Sequence, residues 1–330
     1  MRLPRHTLTR AFLVVILTLA LYAAGALIIG WEGIMTRLRS VSPLVLIGVA
    51  LLSLTNYGLR FWRWEFFLRR LQVRIPLRTS LAIYFSAYVM VITPGKVGEV
   101  FKAGILKDRH GVRLATGLPV ILAERIYDFL GVLILAMGGI LFWPGSLSGL
   151  TTGLIAATSI PALLLLLRND RLRRALLEKL GRSPILARKG IALDDALENF
   201  GRLLQPGPGT GILLISAISW LCEGIGFALV CRGLHLEAGL GVAVFIYAAG
   251  TIVGSLSFLP GGLGGTEATI IWLLGTLLGS TGSGAASAAL LIRVFTLWLA
   301  VLLGFAVFLA SRNLLLGDRD QDGDRDLPLS

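Results

Sequence analysis

The chain has 330 residues, 55% of them hydrophobic and 15% charged, with a net charge of +12 and a mean hydropathy of +0.80. A soluble domain draws roughly a quarter of its residues from the charged set, so this supply cannot cover a water-facing surface. The composition excludes a soluble enzyme, a nucleic-acid-binding domain and a disordered chain, and it predicts an all-α polytopic membrane protein.

In chain order, apolar runs over 11–29, 43–62, 80–92, 118–142, 150–167, 212–230, 242–259, 269–278 and 285–310 mark the candidate helices. A crossing needs about 20 apolar residues. The run over 80–92 is too short and stops at Thr93-Pro94-Gly95-Lys96. The run over 242–259 stops at Pro260-Gly261-Gly262-Leu263-Gly264-Gly265, before a second short run. Each reads as a helix, a Pro/Gly break and a further short helix.

Basic residues orient the loops, because cytoplasmic loops carry an excess of Lys and Arg. Arg60, near the end of the second run, counts with Arg63, Arg69, Arg70, Arg74 and Arg78 toward the loop after it, and Lys107, Arg109 and Arg113 follow the first broken element. Both ends of that element are therefore expected in the cytoplasm, which makes 80–106 a re-entrant hairpin. Residues 143–149, 232–241 and 279–284 carry almost no basic charge and are expected outside, so the second broken element dips in from the opposite face. The expected fold is about six full transmembrane helices plus two opposed re-entrant helical hairpins, in the inner membrane, with both termini cytoplasmic. Cys222 and Cys231 share one apolar run, and His6, His110 and His235 are scattered. Neither set forms a disulfide or metal pattern, and no cofactor is expected.

The two broken elements match in more than glycine. Glu99 precedes Arg125 by 26 residues, and Glu267 precedes Arg293 by the same 26. This spacing predicts a duplication with units at about 43–142 and 211–311. An odd number of crossings separates their starts, which inverts the second copy. Inverted repeats with broken helices meeting near the midplane point to a transporter's binding site, because freed backbone groups persist in a membrane only inside protein or beside a polar cavity.

Ionisable residues at membrane depth are functional candidates. They are Lys96 and Glu99 at the first break, Glu124, Arg125 and Asp128 in the next run, Glu223, then Glu267 at the second break, and Arg293. The plainer alternative is that they neutralise one another, Glu99 with Arg125 and Glu267 with Arg293. Two arginines at matching positions nonetheless suit an anionic group held between them. Half-helix N-termini at Pro94, Gly95 and Gly98 and at Pro260, Gly261, Gly262 and Gly264 would add free N–H groups and the positive end of a helix dipole. The acidic residues are candidates for exchanging protons or orienting the arginines.

The strings Thr93-Pro94-Gly95-Lys96-Val97-Gly98-Glu99-Val100-Phe101-Lys102-Ala103, Ala123-Glu124-Arg125-Ile126-Tyr127-Asp128 and Leu259-Pro260-Gly261-Gly262-Leu263-Gly264-Gly265-Thr266-Glu267-Ala268, with the pair Arg63-Trp64, resemble the flippase-like membrane family. That family includes the transmembrane flippase part of lysylphosphatidylglycerol synthases. The resemblance runs from about residue 11 to 312 and implies a membrane domain over 1–316 that moves a lipid between leaflets. The synthases carry a soluble aminoacyltransferase domain after the membrane part. Here about twenty residues follow the last run, so lipid aminoacylation is not expected of this chain.

The expected ligand is an anionic phospholipid or a polyprenyl-phosphate-linked lipid. Two rivals are a non-catalytic partner of a separately encoded lipid or glycan synthase and a membrane enzyme acting on lipid-linked substrates. The basic stretch over 168–205, with Leu172, Leu176, Leu177 and Leu180 as an apolar stripe, is expected along the cytoplasmic leaflet. The acidic tail over 317–330 is expected to be disordered.

Overall fold

The computed structural model describes residues 31–93, 99–140, 193–280 and 282–316, and every regular element among them is a helix. The expected runs over 11–29 and 150–167, the break residues Pro94, Gly95, Lys96 and Gly98, most of the basic stretch over 168–205 and the tail over 317–330 lie outside these described residues.

A short helix α1 (Trp31–Ser40) precedes α2 (Pro43–Arg70). Pro43 sits in the first turn of α2, and the Ser42 hydroxyl accepts the Leu44 N–H at 3.3 Å. Proline loses nothing at that position, and a serine cap satisfies one of the orphan amides. The helix runs 28 residues, about 42 Å at 1.5 Å per residue. It therefore carries Arg60 and Arg63 inside it, which corrects the expected loop after residue 62. The reason is that Trp64, Phe67 and Leu68 are buried and continue the apolar face past the arginines.

Then come α3 (Leu77–Ser86), extended by the 3-10 turns Ala87–Ile92, α4 (Val100–His110) and α5 (Leu114–Ile140). The second series is α6 (Leu193–Leu203), α7 (Pro206–Gly233) and α8 (Leu240–Leu256), then the turn Pro260–Gly262 and α9 (Gly265–Leu278). It closes with α10 (Ser283–Arg293), a π-helical turn Val294–Trp298, α11 (Leu299–Ala310) and α12 (Arg312–Leu316).

Pro43–Arg70, Gly207–Gly233 and Ser283–Ala310 are long and apolar enough to cross a membrane. Helix α5 has 27 residues but contains Glu124, Arg125 and Asp128. The outward residues Leu44, Ile47, Leu51 and Leu54 of α2, Leu214 and Ile218 of α7, and Leu302, Phe305 and Leu309 of α11 are exposed. Such an apolar belt is costly in water and suited to lipid tails.

Proline 119 lies inside α5, where it removes the hydrogen bond that the Ala115 carbonyl would accept. Asn199 of α6 replaces the missing donor, its Nδ2 lying 3.1 Å from the Ala115 oxygen.

Helices α2 and α7 pack antiparallel over their length. Gly233, at the end of α7, abuts Val45 near the start of α2. Midway, Asn56 Nδ2 donates to the Ser219 carbonyl at 2.8 Å. At the other end Arg70 hydrogen-bonds Gln205. Helix α5 lies against α7 and α8, and α11 lies against α3 and the turns after it. The last two contacts close at glycine. A Cβ on Gly139 would stand 2.5 Å from that of Phe245, and one on Gly304 would stand 2.8 Å from the Val89 nitrogen. Small residues bring helix backbones together where apolar solvent supplies no hydrophobic drive.

The contacts define two ends of the bundle. One gathers Arg70 with Gln205, Arg109 with the Leu314 carbonyl, Arg113 with Asp195, and α12 beside α3. The other gathers Gly33 with Ser283, Arg37 with Gly284, and Gly139 with Gly241. The first broken element thus starts (α3) and finishes (α4) at the former end. The second starts (α8) and finishes (α9, leading into Ser283) at the latter.

Candidate functional site

Asp128 of α5 is the hub of a buried charge cluster. Its Oδ2 lies 2.8 Å from Arg60 and 2.9 Å from Arg125, and its Oδ1 lies 2.8 Å from Arg63. The Trp220 indole of α7 donates to the same Oδ1 at 3.2 Å. Arg63 also donates to the Ser216 hydroxyl at 2.5 Å. The three arginines differ in access: the side chain of Arg63 is 0% exposed and that of Arg125 is 26% exposed. Arg60 lies over the Trp220 ring, 5.4 Å from its centre.

A second layer fixes α4 beside this hub. Glu99, at the start of α4, pairs with Arg125 at 3.2 Å and with Lys102 at 3.7 Å. Lys102 pairs more closely with Glu124, at 2.6 Å, and its ammonium lies 4.8 Å from the Trp64 ring centre and 5.0 Å from that of Tyr84. Buried ions persist only when paired and hydrogen-bonded, and this lysine has both a carboxylate and two aromatic faces.

The second break is tied by its own Glu–Arg pair. Gly261, Gly262 and Gly264 take φ of 60°, 68° and 82°, backbone that glycine adopts at no steric cost. The amide of Gly264 donates to Glu267 Oε2 at 2.7 Å. Glu267 Oε1 accepts from Arg293 Nε at 2.8 Å, and Arg293 also donates to the Gly261 carbonyl. Glu267 thus occupies a half-helix amide that the sequence offered to a ligand, and Arg293 occupies a carbonyl freed by the break. The π-helical turn follows Arg293 directly, and within it the Phe295 carbonyl accepts the Tyr57 hydroxyl at 2.7 Å.

These groups meet around one cavity of about 260 Å³. Its wall includes Arg60, Glu99, Arg125, Asp128, Glu223 and Arg293, together with Tyr57, Tyr88, Trp220, Tyr247, Gly261 and Gly262. Leu256, Phe258 and Leu259, all exposed, belong to the same wall. Glu223 hydrogen-bonds the Tyr247 hydroxyl.

Of the residues singled out in the sequence, Glu99, Arg125, Asp128, Glu223, Gly261, Gly262 and Arg293 line this cavity. Glu124 and Glu267 stand behind the wall, on Lys102 and Arg293, while Pro260 and Gly264 belong to the break. Pro94, Gly95, Lys96 and Gly98 lie outside the described residues. The two pairings expected from mutual neutralisation, Glu99 with Arg125 and Glu267 with Arg293, both form. Sequence reasoning missed Arg60, Arg63, Lys102 and Trp220 as site residues. The signal for the first two was their three-residue spacing on one helix face, opposite an aspartate that had to be neutralised.

Residues 11–304 match the family model described as the lysylphosphatidylglycerol synthase TM region. A UPF0104 membrane protein of Methanothermobacter thermautotrophicus is 28% identical over 321 residues, covering 86% of this chain and 88% of that protein. A UPF0104 membrane protein of Methanocaldococcus jannaschii is 23% identical over 245 residues, covering 69% of this chain and 96% of its own. Similarity extends to the glycosyltransferase AglD of Haloferax volcanii, 23% identical over 325 residues, 87% of this chain and 51% of that protein. The chain therefore spans about half the length of that relative.

Proposed function

The chain belongs to the lysylphosphatidylglycerol synthase TM-region family, and from that premise we propose that it is a multi-pass transporter moving a phosphate-bearing lipid between the leaflets of the inner membrane. The observation that carries this reading is the cavity shared by both halves of the chain, lined by Arg60, Arg125 and Arg293 and edged by exposed apolar Leu256, Phe258 and Leu259. A phosphate would exchange with Asp128 and Glu99 for the half-accessible Arg125, while the acyl chains follow the apolar edge. The Nε of Arg60 and of Arg125 has no hydrogen-bond partner among the described residues. Buried donors of that kind are normally satisfied, and a phosphate oxygen makes a strong charge-assisted acceptor for them.

Alternating access follows from an inverted repeat. Supporting it are the paired element series, the antiparallel packing of α2 on α7 and the two equivalent Glu–Arg pairs. In this reading the broken elements are opposed re-entrant hairpins, each entering and leaving by one end of the bundle. The end carrying Arg69, Arg70, Arg74, Arg78, Lys107, Arg109 and Arg113 faces the cytoplasm. The deciding experiment is leaflet-specific quenching of fluorescent phosphatidylglycerol in reconstituted vesicles. Faster movement than in protein-free vesicles is expected, and equal rates for every anionic lipid offered would overturn the proposal.

A second reading is favoured by one observation, the match to half of a protein named as a glycosyltransferase. In it the chain serves a separately encoded synthase of lipid or glycan as a membrane partner. Stoichiometric co-purification with such an enzyme, without lipid movement by the isolated chain, would select it.

A further inference from the structure

The two halves meet the cavity with unlike groups at matching places. Helices α2 and α7 both have 28 residues, and counted from their first residues Asn56 matches Ser219, Tyr57 matches Trp220 and Arg60 matches Glu223. In the helices before the breaks Tyr84 matches Tyr247, and counted from Arg125 and Arg293, Asp128 matches Thr296. The contacts follow the same correspondence. Asn56 bonds the Ser219 carbonyl, Trp220 donates to Asp128, and Tyr57 donates to Phe295, beside Thr296. One half therefore presents a fixed pair, Arg60 on Asp128. The other presents a carboxyl, Glu223, on a phenol, Tyr247.

We propose that Glu223 is the proton site of the transport cycle, taking one proton from water as the lipid phosphate enters the Arg60–Arg125 side and returning it as the phosphate leaves. This rests on the transport reading above. A phosphate and an ionised Glu223 would be like charges in one cavity of low dielectric, and protonating the carboxyl removes that repulsion. The neighbouring carboxylates lie within 4 Å of cations: Asp128 of three arginines, Glu99 of Arg125 and Lys102, Glu124 of Lys102, and Glu267 of Arg293. The Tyr247 hydroxyl both donates and accepts, so its bond to Glu223 persists whether the carboxyl is charged or neutral. The ionisable groups sharing the cavity with Glu223 are Tyr57 and Arg60 from α2, Tyr88 from the turns after α3, and Glu99 at the start of α4. Arg125 and Asp128 from α5, Tyr247 from α8 and Arg293 from α10 complete the set, and Cys222 adjoins it on α7.

The test is calorimetric titration of the full chain in detergent with dioctanoylphosphatidylglycerol, in buffers of different ionisation enthalpy. That phosphodiester does not titrate near neutrality, so proton uptake reports the protein. Wild type is expected to take up about one proton per lipid, with affinity falling about tenfold per pH unit once Glu223 is ionised. E223Q, a mimic of the protonated state, is expected to bind with no uptake and no pH dependence. In Y247F the uptake persists and its pH midpoint moves, because the carboxyl loses its hydroxyl partner. Dimethyl phosphate, which has no chains, separates recognition of the phosphate alone from recognition of a lipid. Binding by wild type without uptake, or unchanged uptake in E223Q, overturns the inference while leaving lipid transport intact. Absence of both binding and movement overturns the transport reading and the inference with it.

Discussion

Arg63 and Asp128 are 65 residues apart in sequence and 2.8 Å apart in the fold, with the arginine side chain wholly closed to solvent. Arg60 and Arg125 converge on the same carboxylate, so one acid on α5 gathers three cations from two helices. The three cations are not equivalent. Arg63 is locked between Asp128 and Ser216, whereas Arg125 has the solvent access to trade an internal carboxylate for an external anion.

D128N removes the charge that neutralises this gathering and leaves three guanidiniums facing a neutral amide. Breaking a buried pair costs about 3–5 kcal/mol, and here one substitution breaks three. The expected result is a large fall in melting temperature in detergent, or loss of the monodisperse protein. A D128N protein as stable as wild type would mean that Arg60 and Arg63 are neutralised elsewhere.

R125A acts on the accessible member of the set. Its loss leaves Asp128 with Arg60 and Arg63, so stability is expected to fall by about 1 kcal/mol, as for a partly exposed pair. Lipid movement is expected to drop to the level of protein-free vesicles. R63A should do the reverse, unfolding the protein before transport can be compared. Thermal unfolding of both variants, with leaflet-specific quenching of R125A, checks the contrast. A transport-competent R125A would remove the central residue of the binding proposal.

Among the described residues, the helices, the break at Pro260–Gly262 and the Glu–Arg spacing were legible because each is local and periodic. Apolar runs mark helices, Pro-Gly strings interrupt them, and an equal spacing of 26 residues marks both pairs. Arg60 and Arg63 were not legible as site residues, because counting positive charge assigns any cluster after an apolar run to a loop. Lys102, inside the hairpin expected over 80–106, was not legible because its partner Glu124 lies in the next run. Only the contacts with α5, of the two arginines with Asp128 and of the lysine with Glu124, make their burial affordable. The role of Glu267 was within reach. It stands three residues after Gly264, the position from which a glutamate returns to the helix cap, so its claim on the Gly264 amide follows from local spacing.

The end-to-end geometry of the broken elements predicts accessibility. R78C and R109C, on an otherwise cysteine-free background, are expected to react with an impermeant maleimide from the same side of the membrane. E237C and S283C are expected to react from the opposite side. Opposite labelling of R78C and R109C would turn the first broken element into a crossing and dissolve the inverted arrangement.

Pro119 and Asn199 form a compensated pair that can be tested as one. The proline withdraws the amide that the Ala115 carbonyl would use, and the Asn199 side chain supplies a substitute at 3.1 Å. N199A leaves that carbonyl unsatisfied, and the expected loss is about 1–3 kcal/mol. P119A restores the backbone N–H four residues along, so N199A should cost clearly less in the P119A background. The difference is the coupling of a double-mutant cycle, about 0.5–3 kcal/mol for residues sharing a partner, read from thermal unfolding in detergent. Equal costs in both backgrounds would mean that Asn199 holds α6 to α5 by other contacts, its 3.5 Å approach to Thr116 among them, and that the kink at Pro119 is satisfied without it.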